Sequence, residues 1–185
     1  MVRPDAARHA CVATVVASAG MTATSDVVDR QGDRALVCTI GFRQYGGRRV
    51  FEGPISTVRC HEDNVLVRRR VSEPGEGAVL VVDGGGSLRV ALVGDIVAGL
   101  ARDNGWAGVV IHGGVRDVAS LRDLDVGIKA LGATPRPSGK SGAGDLNVPV
   151  TFGEVTFRPG DMLFSDDDGL VVVRERTRLS TSEHG

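Results

Sequence analysis

Asp95 and the pair Arg116-Asp117 are the residues of this chain whose types and spacing could do chemistry together. Each follows glycine: Gly94 precedes Asp95, and Gly113-Gly114-Val115 precedes Arg116-Asp117. Gly94-Asp95-Ile96-Val97 reads as a helix start, whose free N–H groups can hold a carboxylate. A guanidinium grips a carboxylate or a developing enolate through two parallel hydrogen bonds, and an aspartate offers Mg²⁺ or Mn²⁺ a hard oxygen. The set suits a metal-assisted pocket for a small oxo-acid. An Arg-Asp pair alone is an ordinary helix-start salt bridge. The glycines and the second carboxylate raise it to a candidate site.

These residues need two neighbouring strands to bring them together, and the surrounding pattern supplies them. Residues 78–82 form a continuous apolar run ended by Gly84-Gly85-Gly86, and residues 107–111 form a second one. Between them, residues 94–104 read as a helix with Ile96, Val97, Leu100 and Ala101 on one face and Asn104-Gly105 closing it. Residues 116–121 are a predicted short helix opened by Gly113 to Asp117, and residues 126–131 a third strand. Sequential strands of such a unit lie side by side, so the two helix starts should meet at their C-terminal ends. Upstream, Thr24-Ser25-Asp26 offers cap oxygens for a helix stopped at Gly32, and β-like runs cover 35–40 and 50–60. Residues 64–71 read as a helix with Arg68, Arg69 and Arg70 outward. Residues 135–147, rich in Pro, Gly, Ser and Lys, are expected to be a mobile loop. The end reads as short strands (148–152, 155–157, 162–165, 170–173) joined by Pro159-Gly160 and Asp166-Asp167-Asp168-Gly169 turns. The chain is thus α/β, with a βαβ-like centre and β-rich ends.

Composition bounds the function. At 185 residues, 42% hydrophobic and 24% charged, the chain can bury one ordinary core. A formal net charge of −1 and 4% aromatics argue against direct nucleic-acid binding. No apolar run is long enough for a membrane span. Cys11, Cys38 and Cys60 have no CxxC spacing and read as buried thiols in a reducing, cytoplasmic compartment. Residues 1–21, with Arg3 and Arg8 before a stretch lacking Leu and Phe, make a poor signal peptide and read as a loosely ordered extension. The domain is expected over 22–174, with a polar tail over 175–185.

Several motifs fail on inspection. Gly84-Gly85-Gly86 resembles a nucleotide or S-adenosylmethionine loop, but Leu88 and Arg89 stand where GxGxxG wants its third glycine. Gly139-Lys140-Ser141 echoes a phosphate loop whose first glycine would fall on Thr134. The Asp166 turn lacks the alternating spacing of a calcium loop. His9, His61, His112 and His184 show no zinc spacing, and His112 reads as structural.

Longer motifs carry a resemblance. Phe42-Arg43-Gln44-Tyr45-Gly46-Gly47-Arg48, Gly53-Pro54-Ile55-Ser56-Thr57-Val58-Arg59-Cys60, Glu62-Asp63-Asn64, residues 79–86, Ala91-Leu92-Val93-Gly94-Asp95, Asn104-Gly105-Trp106, Val115-Arg116-Asp117 and Val155-Thr156-Phe157-Arg158-Pro159-Gly160-Asp161 together resemble the RraA-like proteins. These include the regulator of ribonuclease E activity and the class II 4-hydroxy-4-methyl-2-oxoglutarate aldolases. The resemblance implies a three-layer β/β/α swivelling-domain fold and a homotrimer with sites near subunit boundaries. It also implies a divalent-metal-dependent aldolase yielding two pyruvates, with oxaloacetate decarboxylase side activity. The alternative it carries is a non-catalytic regulator with a ribonuclease E-type partner. The family pattern is Asp, twenty residues, Arg-Asp, two residues, then Asp or Glu. Asp95, Arg116 and Asp117 fit it, and Ser120 departs from it. Carried onto this chain, the metal (Mg²⁺ or Mn²⁺) falls to Asp117. Substrate falls to Gly94, Asp95, Ile96, Val97 and Arg116; the catalytic roles go to Arg116 and to Asp95, the latter orienting a water.

Overall fold

The structure, a computed structural model, describes residues 22–175; the extension expected over 1–21 and the tail from 176 on lie outside them. Four parallel strands form the centre: β3 (Phe51–Arg59), β4 (Val79–Asp83), β6 (Gly108–Val115) and β7 (Gly127–Ala133). Helices α2 (Val65–Val71), α3 (Asp95–Asp103) and α4 (Val118–Arg122) connect them, and the short strand β5 (Ala91–Val93) runs parallel to β6 just before α3. On one side β2 (Arg43–Gln44) pairs with β7; on the other, β11 (Met162–Ser165), β12 (Leu170–Val173) and β1 (Ala35–Val37) extend the sheet antiparallel from β3. β8 (Asp145–Leu146) pairs with β3, and β9 (Val150–Phe152) with β10 (Val155–Phe157) as a separate ribbon.

The layering follows from β4. Its run of apolar residues is buried on both faces, as a central parallel strand requires. Leu80 and Val82 point into a core with Val67, Val71, Val97 and Ala98 of α2 and α3. Val79 and Val81 point into a second core with Phe152, Val155 and Phe157 of the ribbon and Leu163 and Val172 of the antiparallel arm. The result is β/β/α. No helix among the described residues is long and apolar enough to cross a membrane.

Several sequence expectations change here. In α3, Val97 and Ala101 point inward as expected, but so does Ala98, wholly buried, whereas Ile96 is 61% exposed. β6 runs on through Gly113-Gly114-Val115, so these residues do not open a helix, and α4 starts only at Val118. A Cβ at Gly114 would sit 2.9 Å from the Val90 carbonyl oxygen, so glycine is needed for close approach to the strand before it. Arg70 does not point outward: its guanidinium lies 4.5 Å from the Trp106 ring centroid and bonds Ser56 Oγ at 3.0 Å. α1 (Thr24–Gln31) is not capped by its own side chains. Asp166, in the β11–β12 turn, takes the Thr24 N–H and hydroxyl, each at 2.7 Å. Finally, the stretch 135–147 is tied down: the buried Asp63 carboxylate accepts from Ser141 and Gly142, and the Gly139 N–H donates to the Glu62 carbonyl at 2.7 Å.

Candidate functional site

The end of β6 is clipped to the end of β5, because the Arg116 N–H donates to the Val93 carbonyl at 3.0 Å. That contact lays Arg116 and Asp117 over Gly94. A Cβ at residue 94 would stand 2.5 Å from Asp117 Oδ2 and 3.0 and 3.1 Å from Arg116 Cγ and Nε. Gly94 has φ −130°, which any residue adopts, so glycine is there for this contact and not for its backbone freedom. Asp117 sits at φ 56°, ψ 39°, a left-handed conformation a non-glycine residue takes at some cost. Arg116 Nε and Asp117 Oδ2 are 3.2 Å apart with side chains 38% and 37% exposed. An ion pair so open to water adds little stability.

Five of the expected residues meet in one cavity of about 90 Å³: Gly94, Asp95, Ile96, Val97 and Arg116. Asp117 is not among its walls. It lines an adjoining hollow of about 270 Å³ with Thr134 and Pro135, and Arg116 borders both. The cradle is also partly filled already: the Ile96 N–H donates to Asp95 Oδ1 at 2.7 Å. An incoming carboxylate therefore finds fewer free N–H groups than the helix start alone promises.

Four polar residues of this cavity were missed by sequence reasoning: Asn64, Arg68, Ser138 and Lys140. Asn64 donates to the Leu92 carbonyl at 2.9 Å and accepts from Lys140 Nζ, fixing the lysine at the cavity wall. Ser138 is 9% exposed, and among the described residues its hydroxyl has no partner. Lys140 and Ser138 reach the site because Asp63 pins their loop. Burial pushes the Asp63 carboxyl up, but the N–H groups of Val65, Ser141 and Gly142 and the Ser141 hydroxyl outweigh it, leaving it below the usual carboxylate range. The signals were Gly139-Lys140-Ser141 and the arginine triplet, neither of which reveals its neighbours.

Among the described residues no group of three or more His, Cys, Asp or Glu side chains could hold a metal ion. Mg²⁺ keeps several of its own waters and takes one or two carboxylates. The open Asp117 carboxylate fits such a hydrated hard cation and does not fit a soft or fully caged metal. Other reactive groups are spoken for. His112 Nδ1 lies 3.1 Å from Asp83 Oδ1, and its ring stacks on Phe152 at 4.5 Å. Burial, with Asp63 and Asp83 nearby, pushes the Cys60 thiol up to about 12, which removes it as a nucleophile. Gly84 to Gly86 turn the chain against Leu92 and His112, so their glycines serve packing.

The chain matches the RraA-like family, described as Aldolase/RraA, over residues 23–172. A solved structure named S-adenosylmethionine: 2-dimethylmenaquinone methyltransferase from Geobacillus kaustophilus is 45% identical, covers 84% of this chain and 96% of its own, and superposes with a TM-score of 0.81. RraA from Thermus thermophilis, named as an RNA-processing inhibitor, is 42% identical over 86% of this chain and 97% of its own, also at 0.81. Streptomyces coelicolor RraAS2, described as an unusual member of the RNase ES inhibitor RraA family, is 29% identical over 80% of this chain and 78% of its own, at 0.64. Fold, motifs and this match agree: the chain belongs to the RraA-like family, which holds both aldolases and inhibitors of RNA processing.

Proposed function

We propose that this protein is a divalent-metal-assisted lyase of small oxo-acids, acting as a homotrimer. Its reactions are oxaloacetate decarboxylation and cleavage of 4-hydroxy-4-methyl-2-oxoglutarate to two pyruvates. The observation that carries the reading is the packing of Arg116 and Asp117 on Gly94. It brings a guanidinium and a hard oxygen ligand to a helix start, with Arg116 bordering both the cavity at Gly94 and the hollow that Asp117 lines. The cavity of about 90 Å³ and the hollow of about 270 Å³ across Arg116 together leave room for a small oxo-acid.

Arg116 and the N–H groups at the start of α3 receive the substrate's C1 carboxylate. A divalent cation held by Asp117 (Mg²⁺ or Mn²⁺) would supply Lewis acidity toward the 2-oxo oxygen. When the C3–C4 bond breaks, its electron pair enters the C2–C3 enolate of pyruvate, and the leaving fragment departs as CO₂ or as a second pyruvate. Arg116 stabilises the charge that develops on the enolate. Asp95 orients the water that removes the C4 hydroxyl proton of the aldol and later protonates C3. The test is pyruvate release from both acids with Mg²⁺ and with excess chelator. Release that needs the metal is expected, and undiminished release in chelator would sink the mechanism.

The 42% identical RNA-processing inhibitor supports a second reading, regulation of a ribonuclease E-type partner through protein contact. Such contact needs neither Arg116 nor Asp117. If variants at both residues inhibit a ribonuclease as well as the unaltered protein does and no pyruvate is ever released, this reading replaces the first.

A further inference from the structure

The cavity at Gly94 has a second wall that the chemistry above leaves unused. It is built by α2 and the stretch around Ser138. The Arg68 N–H donates to the Asn64 carbonyl at 2.9 Å, one helical turn back, so both residues lie on the α2 face turned to the cavity. Among the described residues Arg68 meets no carboxylate within ion-pair distance. Its neighbour Arg70 by contrast reaches Glu73 at 3.1 Å. An exposed arginine without a partner is commonplace. Here, however, Ser138 belongs to the wall of the same cavity from a distant part of the chain; it is nine-tenths buried, and among the described residues its hydroxyl has no partner. Buried hydroxyls are rarely left unmatched. Three cationic side chains, Arg68, Arg116 and Lys140, line the cavity against one carboxylate, Asp95. Arg116 is already shared with Asp117, and the Lys140 ammonium is tethered to Asn64. Arg68 remains free to turn its planar fork inward.

We propose that Arg68 and Ser138 form a second anion-binding subsite, which recognises the far carboxylate of a dicarboxylic acid while Arg116 holds the near one. The guanidinium fork donates two parallel hydrogen bonds to the carboxylate, and the Ser138 hydroxyl donates a third. The subsite deepens the oxo-acid reading of the cavity and rests on it. It makes Arg68 a specificity-determining residue.

The test is calorimetric binding of two unreactive acids at fixed Mg²⁺: malate, and 2-hydroxybutyrate, which has a methyl group in place of malate's far carboxylate. Malate is expected to bind at least about tenfold more tightly. Arg68→Met and Ser138→Ala should each weaken malate by about tenfold, the loss of one charge-assisted hydrogen bond, and leave 2-hydroxybutyrate unchanged. Arg116→Met should weaken both. If Arg68→Met weakens both acids equally, or neither, the subsite is overturned; the oxo-acid reading survives where Arg116→Met still weakens both. If neither acid binds the unaltered protein, both proposals fall. Should Ser138→Ala unfold, the Arg68→Met titrations decide alone, since that side chain is exposed and its loss leaves the core intact.

Discussion

Two corners of the molecule gather charged groups from distant parts of the chain around a helix start, and they treat them differently. At α1 the anion site is filled in cis. Asp166 accepts from the Thr24 N–H and hydroxyl and from the Asp168 N–H, while Lys129, 2% exposed, donates to the Asp166 carbonyl at 2.5 Å. Burial lowers the readiness of Lys129 to stay charged, and the nearby Asp167 and Asp166 only partly offset this. At α3 the groups stay open: Arg116 and Asp117 are more than one-third exposed, and among the described residues Arg68 meets no carboxylate and the Ser138 hydroxyl has no partner. A helix start with its charges satisfied stiffens the fold. One whose charges are left unsatisfied is available to a ligand. The difference lies in who supplies the partner, since both corners use the same residue types.

The sharpest way to break this comparison is at Asp117. Asp117→Asn keeps a side chain that tolerates the left-handed backbone and removes the charge. Metal-dependent decarboxylation should fall more than ~100-fold, since even groups one step removed from a metal cost about 10–100-fold. Thermal unfolding should barely move. A variant as active as the parent would place the metal elsewhere. Next comes Gly94→Ala, whose methyl group meets Asp117 Oδ2 at 2.5 Å and must push the pair aside. We expect a stability loss of about 1–3 kcal/mol and an activity loss of up to about a hundredfold, read by thermal unfolding and pyruvate release. Full activity would mean that the pair's seat on Gly94 is irrelevant. The satisfied corner should answer in the opposite way. Asp166→Ala removes the α1 cap and should cost about 1–2 kcal/mol of stability while leaving turnover unchanged.

How much of this contrast the residues themselves disclose differs between the corners. Gly94, Asp95, Ile96, Val97 and Arg116 could be placed at one site because neighbouring parallel strands align the helix starts that follow them, although the strand that leads into Gly94 is β5 (Ala91–Val93), which the apolar run at 78–82 did not announce. Asp117 was placed with them, yet it turns into the adjoining hollow, because its left-handed backbone could not be read from Arg-Asp alone. β6 outran its expected end because Gly113 and Gly114, which look like a turn, serve close strand packing. The α1 cap comes from a residue 142 positions away, beyond the reach of local patterns. The segment 135–147 has a mobile loop's composition, and only the fold reveals Asp63 beneath it. Tertiary partners are what composition leaves unsaid.

Acid should probe both corners through the carboxylates that bind them. Asp166 is half-buried, and its partial burial raises its pKa, but the Thr24 N–H and hydroxyl and the N–H groups of Asp168 and Gly169 bring it below the usual range. Asp63 behaves alike. For a depressed folded value, the stabilisation is fully present above the unfolded pKa of about 3.9 and is lost as pH falls through the lower folded value. Stability should therefore hold down to about pH 4 and decline below it. Asp63→Asn should flatten part of that decline and loosen residues 139–142, read as faster amide exchange there at neutral pH. Unchanged exchange would mean that other contacts hold the loop.

The smallest expected effect is at Ser120. It occupies an exposed position in the first turn of α4, three residues past Asp117, whose carbonyl accepts the Leu121 N–H at 3.1 Å. The family pattern has a carboxylate there. A serine hydroxyl can hydrogen-bond a water in the cation's hydration shell but adds no negative charge. Ser120→Asp brings that charge near Asp117 and also sets an anion at the start of a helix, worth about 0.3–1 kcal/mol in stability. Mg²⁺ should bind up to about tenfold more tightly, the lower end of what such outer partners contribute. α4 begins after Asp117 and not before it, so a carboxylate at residue 120 has no regular turn to align it with residue 117, and the gain should stay modest. A Mg²⁺ titration unmoved by the substitution, with turnover also unmoved, would show that the open corner works without the missing carboxylate.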